Sequence, residues 1–172
     1  MVSLSRLNLK VAFIPGLRAS ADDFWLALGV IALIDAVRLS ISPTAGLLSW
    51  LVVAFFALCA FMNRLRDAGR APTIAFILLI GASVIKALSG LFAMAWAIMP
   101  QVLTYLEENL GVDPDDPAQF YDPQIQRAYQ DWLVANPEIV MSALGAGAWP
   151  SVWGFWLTLV IAGVWVSRPS RR

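Results

Sequence analysis

The chain has 172 residues, of which 59% are apolar and 14% charged, with eight Trp and a formal net charge of zero. A mean hydropathy of +0.70 is far from that of a soluble domain and fits a polytopic membrane protein, and a neutral chain offers no field for nucleic acid. With no His and one Cys, the sequence excludes His-based acid–base catalysis, His-ligated haem, most zinc and copper sites, intrachain disulfides and iron–sulfur clusters.

Residues 1–21 carry Arg6, Lys10 and Arg18 and no acid, with apolar residues in a pattern that suits neither a long helix nor a span. They predict a cytoplasmic amphipathic lead-in along the membrane surface. Basic charge before an apolar run also fits a signal peptide, but Asp22 and Asp23 precede the run and no small-residue cleavage site follows it, which favours retention. Ser20 and Asp23 have the spacing of a capping box, so the first helix starts near residue 22. Its uncharged stretch is too short to cross a bilayer, and the span must continue through Asp35 and Arg38 to about residue 41. A charge near a helix centre costs roughly 2.5–3.5 kcal/mol on insertion scales, so these two need partners; three apart on one helix face, they can pair with each other.

Residues 44–62 are uncharged and form a second span. The run 63–70 then concentrates Arg64, Arg66, Asp67 and Arg70, which predicts a cytoplasmic loop over residues 63–71 that orients the chain. Pro72 opens a third helix, apolar through residue 99 except for Lys86, and longer than an upright span requires. Spans one to three thus occupy residues 22–100.

Residues 101–147 differ in kind: eight acids face a lone Arg127, with Pro and Asn-Pro punctuation. The segment predicts an acidic extracytoplasmic cap of short helices, one opened by Asp122-Pro123 with Ile125, Tyr129, Trp132 and Leu133 on one face, the next opened by Asn136-Pro137 and running toward Leu144. Asp113, Asp115 and Asp116 lack the Gly and closing Glu of an EF-hand and read as a solvated loop, not a metal site. Residues 148–167 form the fourth span, with Trp149, Trp153, Trp156 and Trp165 as interfacial belts and Gly154, Thr158 and Ala162 as a small-residue face for helix packing. Residues 168–172 are a basic tail. Four spans put nine of the twelve basic residues on one side with both termini, and the acidic block on the other.

Leu17-Arg18-Ala19-Ser20-Ala21-Asp22-Asp23-Phe24-Trp25 resembles the G-R-x-S-R-x-x-F-W pattern at the first helix of domain-of-unknown-function family 805, small bacterial inner-membrane proteins. Arg64-Leu65-Arg66-Asp67-Ala68-Gly69-Arg70 is similar to that family's R-L-H-D-x-G-R/K after its second helix. Here Leu17 stands for the family's Gly, Ala21 for its second Arg and Arg66 for its His. The resemblance covers roughly residues 16–85 and implies a multi-span inner-membrane protein with no settled reaction.

Two groups of residues invite a role. The first is a charged cluster of Arg18, Asp22, Asp23, Arg64, Arg66, Asp67 and Arg70, in which Asp67 pairs with Arg18, and Asp22 or Asp23 with an arginine of the 63–70 run. The second rests on depth: at about 1.5 Å per residue, Asp35 and Lys86 both lie roughly 20 Å from the cytoplasmic start of their helices, which predicts an interhelical Asp35–Lys86 contact with Arg38 beside it. The expectation is an all-α, four-span protein with a helical cap between spans three and four. It is a non-enzymatic accessory protein without cofactor or metal, its partners membrane lipids, other membrane proteins or further copies of itself. The alternative is a small transporter or ion-conducting subunit using Asp35 and Lys86.

Overall fold

A computed structural model describes residues 8–42, 47–113, 115–116 and 118–168. Five α-helices make up the fold, α1 (Ala21–Ile41), α2 (Leu47–Asp67), α3 (Ile74–Leu110), α4 (Pro123–Ala135) and α5 (Pro137–Ser167), with 3-10 turns at Leu9–Ala12 and Gln119–Tyr121 and no strand among the described residues. Four of these helices, all but α4, are long and apolar enough to cross a membrane. Residues 43–46, Arg6 and the basic residues Arg171 and Arg172 lie outside the described residues.

Local chemistry explains where the helices begin and turn. The Ser20 hydroxyl accepts from the Asp23 amide at 3.1 Å and donates to the Asp23 carboxylate at 2.7 Å, as the capping spacing predicts. Helix α2 does not stop at Asn63: it carries most of the charged run as its last turns and ends only before Gly69, whose φ of 68° lets the Arg70 amide return to the Leu65 carbonyl at 2.8 Å. The expected loop of 63–71 is thus mostly helix.

Helix α3 has 37 residues, roughly 55 Å at the standard rise, against a hydrocarbon core of about 30 Å. It runs through Pro100 and closes at Gly111, which has φ 65°. Helix α5 likewise runs unbroken through Pro150. The short helix expected from Asn136-Pro137 toward Leu144 is therefore the first turns of α5, and only residues 111–136 separate the two long helices. Pro137 occupies the first turn as expected, but the Asn136 side chain donates back to the Trp132 carbonyl at 2.8 Å and does not cap. Asp122 does cap α4, accepting from the Gln124 amide at 2.7 Å.

Helix α4 packs by the face its spacing predicts. Trp132 stacks on Tyr105 of α3 with ring centroids 4.6 Å apart, while Gln124, Arg127 and Asp131 stay exposed. Around the bundle, α1 packs on α2 and α5, and α3 packs on α2 and, most extensively, on α5; α1 and α3 do not touch. Phe24, Ile31, Phe61, Phe155 and Leu159 fill the core, with Phe24 edge-on to Phe61 at 5.0 Å.

The α3–α5 seam is made of small residues. A Cβ on Gly147 would lie 2.7 Å from the Gly90 carbonyl oxygen, and one on Gly90 would lie 3.0 Å from Ser151 Cβ. Gly154 belongs to this seam, since a Cβ there would strike Ser89. Its expected companions do other work: the Thr158 hydroxyl donates to the Gly154 carbonyl of its own helix at 2.8 Å, and Ala162 packs on the core one level away. Close backbone approach through such residues is how apolar helices associate where lipid competes for every apolar contact.

Candidate functional site

The first site lies at the basic end, where the start of α1, the end of α2 and the end of α5 converge. Asn63 is its centre, fully buried. Its Nδ2 donates to the carbonyls of Val11 and Ile14, both at 2.8 Å, and its Oδ1 accepts from the Gly16 amide at 3.0 Å. The segment before α1 is thereby folded down onto α2, with Val11 and Ala12 buried. Asn8 adds a second tie, its amide donating to Asp23 Oδ1 at 2.7 Å.

Arg64, 7% exposed, joins the three helix ends. Its Nη1 donates to Asp67 Oδ2 at 2.6 Å and to the Ala19 carbonyl at 3.4 Å, and its Nη2 donates to the Ser167 carbonyl at 2.9 Å. Arg70 reaches the same helix end, donating to the carbonyls of Trp165 at 3.1 Å and Arg168 at 3.3 Å, with its guanidinium 4.1 Å over the Trp165 ring. The last carbonyls of a helix have no intrahelical donor and carry the negative end of its dipole, so two guanidinium groups there satisfy both needs.

The expected cross-pairing of the charged cluster does not form. Asp67 pairs with Arg64 of its own helix, not with Arg18; Asp23 is engaged by Asn8 and Ser20; and Arg66 donates to Asn63 Oδ1 at 3.3 Å. Arg18 and Asp22 are exposed and bond no described residue. Main-chain carbonyls of α5, a competitor invisible to a count of charges, have taken the arginines instead.

The second site is a polar layer inside the bundle. Asp35 is 1% exposed. Its Oδ1 accepts from Arg38 Nη2 at 2.7 Å and Nε at 2.9 Å, and its Oδ2 accepts from the indole Nε1 of Trp156 at 2.9 Å. Arg38 Nη1 donates onward to Ser49 Oγ at 2.9 Å, which ties α1 to α2. The pairing of Asp35 with Arg38 is as the three-residue spacing predicts. The expected contact between Asp35 and Lys86 is not made: Lys86 Nζ donates to Ser151 Oγ at 3.2 Å. Equal depth brought the two to one level, but α1 and α3 stand diagonally across the bundle, and the nearer α5 supplies partners to both.

Asn63, Trp156 and Ser151 are the residues that sequence reasoning missed. Trp156 is expected at the interface with Trp149 and Trp153, both exposed; three and seven residues from them it shares their helical face, so spacing carries no signal of its burial.

The fold and these sites define an all-α polytopic protein whose ion pairs form within single helices and are tied to neighbouring helices by hydrogen bonds. No family model, no curated protein and no solved structure matches the chain.

Proposed function

We propose that this is a non-enzymatic accessory or interaction protein of a bacterial inner membrane that binds other membrane proteins or lipids. The observation that carries the reading is the outward surface of the α3–α5 pair. Along α3, Ile77, Ile80, Val84, Leu88 and Leu91 are exposed at helical spacing, and α5 presents Trp149, Trp153, Leu157 and Ile161. Those long helices pack chiefly on each other, which leaves broad apolar faces for lipid tails or a neighbouring span. The basic end adds Arg18, Arg66 and Arg168 as groups that attract anionic headgroups.

Orientation follows from the same end. Lys10, Arg18, Arg64, Arg66, Arg70 and Arg168 gather there, and the acids of residues 107–138 lie at the other; basic residues near span ends stay cytoplasmic, so both termini are cytoplasmic and α4 is extracytoplasmic. The two charged motifs, Arg18 to Trp25 and Arg64 to Arg70, support membership of the family they resemble.

Gentle extraction from native membranes, followed by identification of bound proteins and lipids, tests the reading. Photo-crosslinkers at Leu88 and Trp153 are expected to capture one defined partner or lipid class; random capture would remove it. A small transporter or ion-conducting subunit using Asp35 and Lys86 ranks second, because both oxygens of Asp35 are already engaged. Flux in liposomes that is lost on changing Asp35 would reverse the order.

A further inference from the structure

The polar layer holds more donors and more positive charge than it can use. In it α1 places Asp35 and Arg38, α2 places Trp50, α3 places Lys86, and α5 places Ser151 and Trp156. Counting about 1.5 Å per residue from the basic end of each helix, these lie roughly 16–26 Å in. Two cations there face one carboxylate.

Both oxygens of the carboxylate are engaged. Asp35 takes two N–H groups from Arg38 on one oxygen and the Trp156 indole on the other. Lys86 has one acceptor among the described residues, the Ser151 hydroxyl, which itself donates to the Ala148 carbonyl at 2.7 Å. An ammonium carries three donors, so two are left over. The Trp50 indole N–H is also buried without an acceptor; its ring is edge-on to Phe155 at 6.5 Å, one helical turn along α5 from Ser151.

The position of Lys86 decides what could complete it. Residues 77, 80, 84, 88 and 91 form the outward stripe of α3, whereas Lys86 lies on the side toward α5, bonded to Ser151 beside the close Gly90–Gly147 approach. A partner helix docking on the outward stripe would meet apolar side chains and not the ammonium. The surplus is one charge, which a monovalent anion balances and a phosphate or sulfate dianion overshoots.

We propose that Lys86 is the charged donor of an intramembrane site for a single monovalent anionic group, a halide or a carboxylate. Such a site adds a ligand class that the accessory reading does not contain, and it stands whether or not a protein partner exists.

The test uses the full chain in nanodiscs of zwitterionic lipid, with chloride as the probe. The wild type is expected to broaden the chloride-35 resonance in a saturable manner. Lys86→Met, which keeps length and suits a bilayer, is expected to fold and to lose the saturable component; Lys86→Arg is expected to retain it. Adding acetate at constant ionic strength separates the sources: displacement of chloride at equal or lower concentration assigns the site to carboxylates, and weaker displacement assigns it to halides. Equal broadening by wild type and Lys86→Met overturns the proposal, as does displacement by sulfate as effective as that by the monovalent ions.

Discussion

The indole Nε1 of Trp156 donates to the carboxylate of Asp35 at 2.9 Å across 121 residues of sequence. With the Arg38 guanidinium on the other oxygen, it makes an otherwise prohibitive charge compatible with a bundle interior. Removing one member of a buried, hydrogen-bonded pair leaves the other uncompensated, at a cost of about 3–5 kcal/mol. Asp35→Asn is accordingly expected to lower stability by that order in a denaturant titration in mixed micelles, and Trp156→Phe by about 1–3 kcal/mol, the cost of one unmade hydrogen bond. Equal midpoints for wild type and Asp35→Asn would show that the pair carries no stability.

Asn63 satisfies four main-chain or side-chain groups from one buried carboxamide. In Asn63→Ala the Val11 and Ile14 carbonyls and the Gly16 amide lose their partner, at about 1–3 kcal/mol for each group left buried. Hydrogen exchange is expected to accelerate over residues 8–19 while α3 and α5 stay protected. Unchanged exchange at Gly16 would contradict the role.

Arg64 needs its planar fork to reach Asp67 and Ser167 together, a geometry the point charge of lysine cannot reproduce. Arg64→Lys is expected to behave almost as badly as Arg64→Ala, measured by amide exchange in the last turn of α5. Arg70→Ala, whose guanidinium is more exposed, is expected to have the smaller effect. Full rescue by lysine would reduce Arg64 to a simple positive charge.

The α3–α5 seam separates two kinds of glycine. Gly147→Ala drives a methyl into the Gly90 carbonyl, whereas a methyl at Gly81 meets nothing within 4 Å. Overpacking costs about 1–3 kcal/mol, and replacing a helix-interior Gly by Ala where space is free gains about 0.5–1 kcal/mol. The two substitutions are therefore expected to move thermal stability in opposite directions. A pair of shifts with the same sign would rule out close contact at Gly147.

The helices were legible because length and hydropathy report directly on a solvent, the bilayer, that acts on every residue of a span. The same holds for the Asp22–Asp23 start of α1, the Asp122 cap of α4 and the Asp35–Arg38 pair, all set by neighbours within four positions. What escaped was choice among distant partners. Depth placed Asp35 level with Lys86, but Trp156 was level with both, and only the order of helices around the bundle decides between them. Asn63 escaped for a related reason: beside three arginines it resembled the first residue of a loop, while its acceptors lay on a segment with no regular periodicity. The overlong α3 follows from its apolar run, and the fourth span was expected to run through Pro150; what escaped is the joining of that span to the short helix opened at Pro137, since Gly145 and Gly147 between them read as a break.

Arg64 and Arg70 reach carbonyls that are made about a hundred residues after them, at Trp165, Ser167 and Arg168. During synthesis the first hairpin must therefore wait, its guanidinium groups without their final acceptors, until the last turn of α5 has been added. Closure of the basic end reports that α5 has been inserted, and a chain interrupted before Trp165 would present the cell with an unlatched bundle.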